Sequence, residues 1–398
     1  MIFRYEGKKL LTRKILPWLF LILGMVNVLK INMVYHETIA DKEMWDARQS
    51  ILSECEGIMT NEKVSFVVDK YNELSQRVSS GNYSTEREPG TYSGYVFGDW
   101  NLFTKIYQEM DYAYNYRDKI SPMLNCAKEN EQLYHHAGAW QDEKFSHELQ
   151  KKYENRKITS YYDTIGWEEY FSYNFSSFLL LLALIYLLCP LFAQEEETGM
   201  VNLLRTSPLG RKRTFLGKIS VGYFSSFLIA VFFYGIDLIV FALYFSLKGF
   251  QNPLFSLPAY LYTPFNCSIA GYILLQFAIR FLAVLLVDTI IMLLSSLIHS
   301  SLMSAVCSFS IVFFLMALLS LSDMGITGDL VLNPVALFAV GDLADAYRPV
   351  AVFGRYFPKI TIACISGMLL FLLSGFLLWT AGRQEIKIKG GRYGHFSI

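Results

Sequence analysis

The sequence has little charge and no net charge. Only 18% of its 398 residues are charged, and the 35 basic residues balance the 35 acidic ones. No overall field therefore favours nucleic acid or an acidic substrate as a partner. The sequence also shows no internal repeat and no strand-rich segment, which favours an all-α fold.

Motifs for chemistry are missing as well. Gly217 follows Gly210 by seven positions instead of the five of a phosphate-binding loop, and Ile219 stands where Ser or Thr is needed. A zinc-binding H-E-x-x-H fails at Lys151, and no nucleophile elbow is present. We therefore predict that the chain is not an enzyme and holds no cofactor or metal of its own.

Hydrophobic residues, in contrast, make up 53% of the chain and gather in runs of membrane-crossing length. The first run contains Asn27 and Lys30, and no A-x-A cleavage site follows it, so we keep it as a span. The sequence predicts six transmembrane helices, at residues 15–35, 173–193, 219–247, 269–298, 303–321 and 359–381.

Basic residues predict the orientation. They concentrate in the N-terminal segment, in the loop after the second span and in the tail 382–398, all on one side if there are six spans. We therefore expect a multi-pass protein of the cell membrane with both termini in the cytoplasm. Residues 1–35 form the N-terminus and first span, residues 173–381 the five-helix region, and residues 322–358 an outer re-entrant loop.

Residues 36–172 are then an extracytoplasmic domain between the first and second spans. Apolar residues at helical spacing predict helices around Trp45 and Val67, and a glycine-rich loop follows at residues 79–99. Ser121-Pro122 predicts a new helix start or a kink in a longer helix. We expect a small helical domain.

The outer domain offers two weak chemical leads. Cys55 and Cys126 are a candidate disulfide if the compartment is oxidising, with Cys267 as a rival partner. Glu131 and His135 stand one helical turn apart, near His147. We interpret these as a solvated helix surface in preference to a metal site.

Charges within the predicted spans are costly in hydrocarbon and mark either packing or function. Asp237 lies in the third span, and Arg280 and Asp288 lie in the fourth. Two roles remain open: an Asp237–Arg280 ion pair that fixes the packing of the spans, or contact with a transported molecule along a conduit.

The segment 194–218 is the long charged stretch between two such spans. Its apolar residues, including Leu203 and Leu204, need an apolar surface, and its basic residues suit lipid headgroups or an acidic partner. A loop that only fixes topology would explain the basic residues but not the cluster Glu195, Glu196 and Glu197. We therefore favour docking of a partner.

The same segment resembles the coupling loop of the permease subunits of type-2 ABC transporters. An acidic cluster and glycine precede a short apolar helix, a T-S-P turn, a basic residue and G-K at the next span. The matching positions are Glu195, Glu196, Glu197, Gly199, Leu203, Leu204, Thr206, Ser207, Pro208, Arg211, Gly217 and Lys218. Six spans, an outer insert and Asn333-Pro334 before Phe338 are similar to the exporter branch of that family.

The resemblance implies a permease that works with cytoplasmic ATPase subunits, which would hold ATP and magnesium, and with a second or related permease copy. Amphipathic cargo such as a peptide, an antibiotic or a lipid-like molecule fits the aromatic-rich spans, which also contact membrane lipid. A receptor or scaffold that senses a ligand through the outer domain is the alternative. Cargo identity and direction of transport stay open.

Overall fold

The computed structural model describes residues 2–11, 14–39, 41–83, 86–200, 210–323, 334–352 and 355–388, and most of them are helical. The first half contains α1 (Ile2–Leu11), α2 (Leu16–Thr38), α3 (Lys42–Cys55), α4 (Asn61–Ser79), α5 (Val96–Tyr114), α6 (Tyr116–Ala137), α7 (Trp140–Tyr153), α8 (Ile165–Ser172), α9 (Phe175–Leu188) and α10 (Pro190–Glu197). The second half contains α11 (Gly210–Phe245), α12 (Ile269–Leu297), α13 (Ser301–Asp323), α14 (Val340–Ala344) and α15 (Lys359–Ile388), with 3₁₀ turns at Leu254–Ser256, Pro258–Tyr260 and Pro334–Phe338.

In the part of the chain that the structure describes, the strands form two antiparallel ribbons. β1 (Gly57–Ile58) pairs with β2 (Ser160–Tyr161), and β3 (Pro349–Val352) pairs with β4 (Arg355–Pro358). The first ribbon joins the start and the end of the outer insert, because its two strands lie about a hundred residues apart in the chain.

Within the described residues, five helical segments are long and apolar enough to cross a membrane, which indicates a membrane protein by length and composition. They are Leu16–Thr38, Ile165–Glu197, Arg213–Phe245, Ile269–Leu297 and Lys359–Ala381. The fifth predicted span, residues 303–321, falls on α13, whose apolar part Ser301–Ala317 is shorter than these five segments. The count of six therefore stays a prediction.

Two of these segments form the centre of the helix bundle. Buried residues make up 67% of the apolar stretch of the segment that contains α9 and 56% of that of α12. The corresponding share is 17% for α2 and for α15. The outer faces of α2 and α15 thus present apolar side chains to the surroundings, as helices in contact with lipid or another chain do.

The insert between α2 and α8 has a core of its own. Ile51 and Leu52 of α3 pack with Val67 of α4 and with Phe103 and Ile106 of α5. Both helices begin at capping side chains: Asp41 accepts a hydrogen bond from the Glu43 amide at 2.9 Å, and Thr60 accepts one from the Lys63 amide at 3.4 Å. The helical interpretation of these residues is confirmed.

The Ser121-Pro122 pair does not begin a helix. α6 starts at Tyr116 and contains Pro122 inside it. A proline costs least in the first turn, where its missing amide has no partner within the helix. Pro122 lies beyond the first turn of α6, and the Ser121 hydroxyl donates to the Asp118 carbonyl at 2.9 Å.

The insert is bound to one end of the bundle, which we call the domain end. Tyr153 donates to the Tyr262 carbonyl at 2.8 Å, Arg156 to the Thr263 carbonyl at 3.0 Å, and Tyr356 to Asp142 at 2.7 Å. The domain end therefore comprises the insert, residues 246–268 and the β3–β4 ribbon.

The opposite end, which we call the loop end, comprises α1, residues 194–200 and 210–218, and the start of α13. Here Lys9 contacts Glu195 at 3.3 Å, and Glu197 contacts the Ser301 amide at 2.7 Å. The chain thus passes from the loop end at Ser301 to the domain end at Tyr347, whose amide donates to Tyr262 at 2.7 Å.

Candidate functional site

The loop end is organised around one buried ion pair. The Lys218 ammonium on α11 lies 2.5 Å from a carboxylate oxygen of Glu195 on α10, and the two side chains are only 3% and 10% exposed. The same ammonium donates to the Leu191 carbonyl at 2.8 Å and lies 5.1 Å from the centre of the Phe192 ring. Both charges are therefore largely shielded from water, and each has a polar or charged partner within the protein.

Helix α1 adds two further charges to this pair. Lys9 approaches the second carboxylate oxygen of Glu195 at 3.3 Å. Glu6 is buried beside the cluster, and this burial raises the pKa of its carboxyl group while the charge of Lys218 opposes the rise. We call Glu6, Lys9, Glu195 and Lys218 the loop-end cluster. It ties α1, α10 and α11 together.

Glu197 connects the same short helix to α13. Its carboxylate accepts hydrogen bonds from the Ser301 amide at 2.7 Å and from the Ser301 hydroxyl at 2.8 Å. The first amides of a helix have no hydrogen-bond partner within the helix, so a carboxylate there accepts a hydrogen bond from one of them. Its negative charge is also stabilised by the positive end of the helix dipole. α10 is therefore bound to α1, α11 and α13 through two of its side chains, Glu195 and Glu197.

The structure places the predicted docking residues in three groups. Glu195 and Lys218 are buried and hold helices together, whereas Glu197 is exposed and caps α13. Gly199 ends α10 with φ 68°, a left-handed conformation that suits glycine, and Glu196 lies in the last turn of α10. Leu203, Leu204, Thr206, Ser207 and Pro208 lie outside the described residues, and Arg211 belongs to the first turn of α11.

The charges within the bundle have separate partners. Arg280 of α12 is 3% exposed, and its guanidinium donates to the Phe338 carbonyl at 3.1 Å, the Tyr173 carbonyl at 3.0 Å and the Asn174 side chain at 2.8 Å. It thereby holds the 3₁₀ turn Pro334–Phe338 and the start of α9 against the middle of α12. Of the predicted re-entrant loop 322–358, residues 324–333, which include Asn333, and residues 353–354 lie outside the described residues.

Asp237 of α11 is bound through a neutral side chain. It accepts a hydrogen bond from Asn27 of α2 at 2.7 Å, and Asn27 in turn accepts one from the Tyr173 hydroxyl at 2.8 Å. Asp237 and Arg280 are therefore joined through Asn27 and Tyr173, and the structure gives them different direct partners. We call this set the intramembrane chain.

Asp288, the third predicted charge, is fully buried in α12. Neither of its carboxyl oxygens has a hydrogen-bond partner among the described residues. The nearby Ser226 hydroxyl donates instead to the Gly222 carbonyl at 3.0 Å. The structure does not bring Asp288 into the intramembrane chain.

Sequence reasoning missed four members of these two sites. Asn27 counted only as an interruption of the first span, although a polar side chain within a span is itself a signal of an internal partner. Tyr173 stood at a span boundary among many aromatic residues. Glu6 and Lys9 belong to a short amphipathic helix that the span pattern does not reveal.

The histidines and cysteines singled out in the outer domain form side-chain pairs with glutamates or remain free thiols. His135 pairs with Glu143 at 2.9 Å and His147 with Glu131 at 3.0 Å, which links α6 to α7. All six cysteines lie in the described residues as free thiols, with Cys55 buried and Cys126 exposed. The structure therefore does not join the predicted pair.

Comparison of the chain with known protein-family models finds no match, and a comparison with curated proteins finds none either. The fold and these contacts define a broad class: a mostly helical membrane protein in which the short helix α10 is bound to α1, α11 and α13.

Proposed function

We propose that this chain is the permease subunit of an ATP-driven exporter, coupled to a separate cytoplasmic ATPase subunit. The observation that carries the proposal is the buried Glu195–Lys218 pair, which joins the two ends of the segment 194–218. A loop that transmits force needs rigid connections to the helices it moves. The loop-end cluster and the Glu197 cap supply such connections to α1, α11 and α13.

In this mechanism the ATPase docks on the loop, and its closure on ATP displaces α10 as a rigid piece. Packed helices shift as units between discrete arrangements because close-packed interiors deform little. The displacement then reaches α12 through the bundle, where Arg280 holds the 3₁₀ turn beneath the domain end. Cargo would leave between two permease copies on that side.

The proposed orientation rests on the distribution of basic residues. We place the loop end, with its basic residues, in the cytoplasm and the domain end outside. Since α13 begins at the loop end and its 23 residues rise about 35 Å, it is long enough to be the fifth of six spans.

The two cysteines of the outer domain test this orientation. We expect a membrane-impermeant maleimide to modify a variant that retains only Cys126 in intact cells. A variant that retains only Cys55 should react only after denaturation, because that thiol is 0% exposed and burial raises its pKa to about 12. Labelling of Cys126 only after the cells are opened would reverse the proposed orientation.

Association with an ATPase tests the function itself. We expect the full chain, purified in detergent from its native membrane, to carry a subunit with a Walker motif whose ATP hydrolysis rises on association. Deletion of residues 199–205 should abolish this co-purification, whereas deletion of residues 392–398, an equal length from the tail, should preserve it. Association that survives the first deletion would contradict docking on this loop.

A receptor or scaffold is the second candidate, favoured by the tight attachment of the outer domain. Trp167 donates to the Lys248 carbonyl at 2.7 Å, and Tyr112 donates to the Phe255 carbonyl at 2.9 Å. A ligand that moved the domain would therefore move the connection between α11 and α12. A chain that binds an outer ligand but alters no ATP turnover would favour this candidate.

A further inference from the structure

A large apolar cavity opens beside the N-terminal helix. It has a volume of about 690 Å³ and lies between α1, α2, α9 and α11. Its walls are apolar side chains such as Leu16, Phe20, Leu187 and Ile229. A cavity of this size falls in the range of sites for small ligands.

The cavity has one basic edge. Arg4 and Lys8 line it from α1, one helical turn apart and both exposed. The opposite side of α1 carries Glu6 and Lys9 into the loop-end cluster. The helix is therefore fixed with its basic face toward the cavity mouth, and an anionic group is the charge that this mouth would attract.

The depth of the cavity matches half a bilayer. Along α11 its wall extends from Val221 to Phe232, a helix rise of about 16 Å. The hydrocarbon core of a membrane is about 30 Å thick, so the cavity reaches through one leaflet. A ligand with a charged head at Arg4 and an apolar tail along α11 has the dimensions of one lipid of that leaflet.

We propose that this cavity binds an anionic phospholipid, with an acyl chain between α1 and α11 and the headgroup phosphate at Arg4 and Lys8. The bound lipid packs against the helix that carries Lys9, and so supports the loop-end cluster from the membrane side. Binding of the lipid at this site does not depend on whether an ATPase docks at the loop end.

Gly7 allows the cavity to be filled without disturbing the fold. It lines the cavity, and a Cβ added there meets no atom within 4 Å. Gly7→Leu would occupy the space of the acyl chain, while Gly7→Ala makes the same improvement in helix propensity without filling it. Arg4→Gln with Lys8→Gln removes the charge at the mouth, and Lys14→Gln removes an exposed charge that does not line the cavity.

The experiment measures lipid bound to the full chain by native mass spectrometry, after exchange between phosphatidylglycerol and phosphatidylcholine nanodiscs. We expect one retained phosphatidylglycerol in the wild-type chain and in Gly7→Ala, and none in Gly7→Leu. The preference of the double glutamine variant for phosphatidylglycerol over phosphatidylcholine should be about 25-fold weaker than that of the wild-type chain, since each basic residue near anionic lipid contributes roughly fivefold. Lys14→Gln should keep most of it.

Three results would overturn the proposal. These are equal retention of both lipids by the wild-type chain, retention by Gly7→Leu at the wild-type level, and a preference that Lys14→Gln reduces as much as the double variant does. Matching thermal unfolding curves for Gly7→Leu and Gly7→Ala establish that a lost lipid reflects the filled cavity and not a lost fold.

Discussion

Replacement of Arg280 by methionine is expected to abolish coupled transport and to lower the free energy of unfolding by roughly 3–5 kcal/mol. The change leaves the carbonyls of Phe338 and Tyr173 and the Asn174 side chain without their donor, and each buried polar group left unsatisfied costs about 1–3 kcal/mol. The 3₁₀ turn Pro334–Phe338 then loses its attachment to α12. Chemical unfolding in detergent and ATP-dependent transport measure the two effects.

Arg280→Lys is expected to restore little of this loss. The guanidinium uses Nε for Phe338 and Nη2 for Tyr173 and Asn174, whereas an ammonium is a single point on a flexible stem. Wild-type stability and transport in Arg280→Lys would show that charge alone matters at this position.

Exchange of the two charges separates the intramembrane chain from a direct ion pair. We expect the variant Asp237→Arg with Arg280→Asp to remain as defective as Arg280→Met. An aspartate at position 280 cannot donate to the carbonyls of Phe338 and Tyr173, because an ionised carboxylate only accepts hydrogen bonds. Asp237→Asn is the mild control, since its amide oxygen can still accept from Asn27. Recovery in the exchange variant would restore the ion-pair interpretation.

The membrane-crossing helices could be predicted from sequence because each depends on a single local property. A run of apolar residues of sufficient length specifies a span, and the predicted start at residue 269 coincides with the start of α12. The same holds for α3 and α4 in the outer domain, because the apolar residues at helical spacing that predict each helix are close together in the sequence.

The sites could be predicted only in part because their partners are distant in sequence or belong to the backbone. Asn27 and Asp237 are 210 residues apart, and no local pattern connects them. The carbonyls that Arg280 binds have no signature in the side-chain sequence. The ribbon of Gly57–Ile58 with Ser160–Tyr161 was missed for a similar reason, because a strand of two residues carries no alternation.

Lys218→Met is expected to destabilise the loop end by about 3–5 kcal/mol, the typical cost of removing one partner from a buried ion pair. Among the described residues, Glu195 would keep the partly exposed Lys9 as its counter-charge, and the Leu191 carbonyl would lose its donor. The cluster would then hold two carboxylates against one ammonium. Unfolding by denaturant measures the loss, and Arg213→Met, an exposed basic residue on the same helix, is the matched control.

The double variant Lys218→Met with Glu195→Met distinguishes stability from coupling. Removal of both charges should recover most of the lost free energy of unfolding, because a buried pair replaced by apolar side chains often costs little. Coupling of ATP hydrolysis to transport should stay impaired, since Lys9 of α1 would no longer be bound to α10 through Glu195. A double variant that transports as the wild-type chain does, or a Lys218→Met variant no less stable than Arg213→Met, would remove the loop-end cluster from the mechanism.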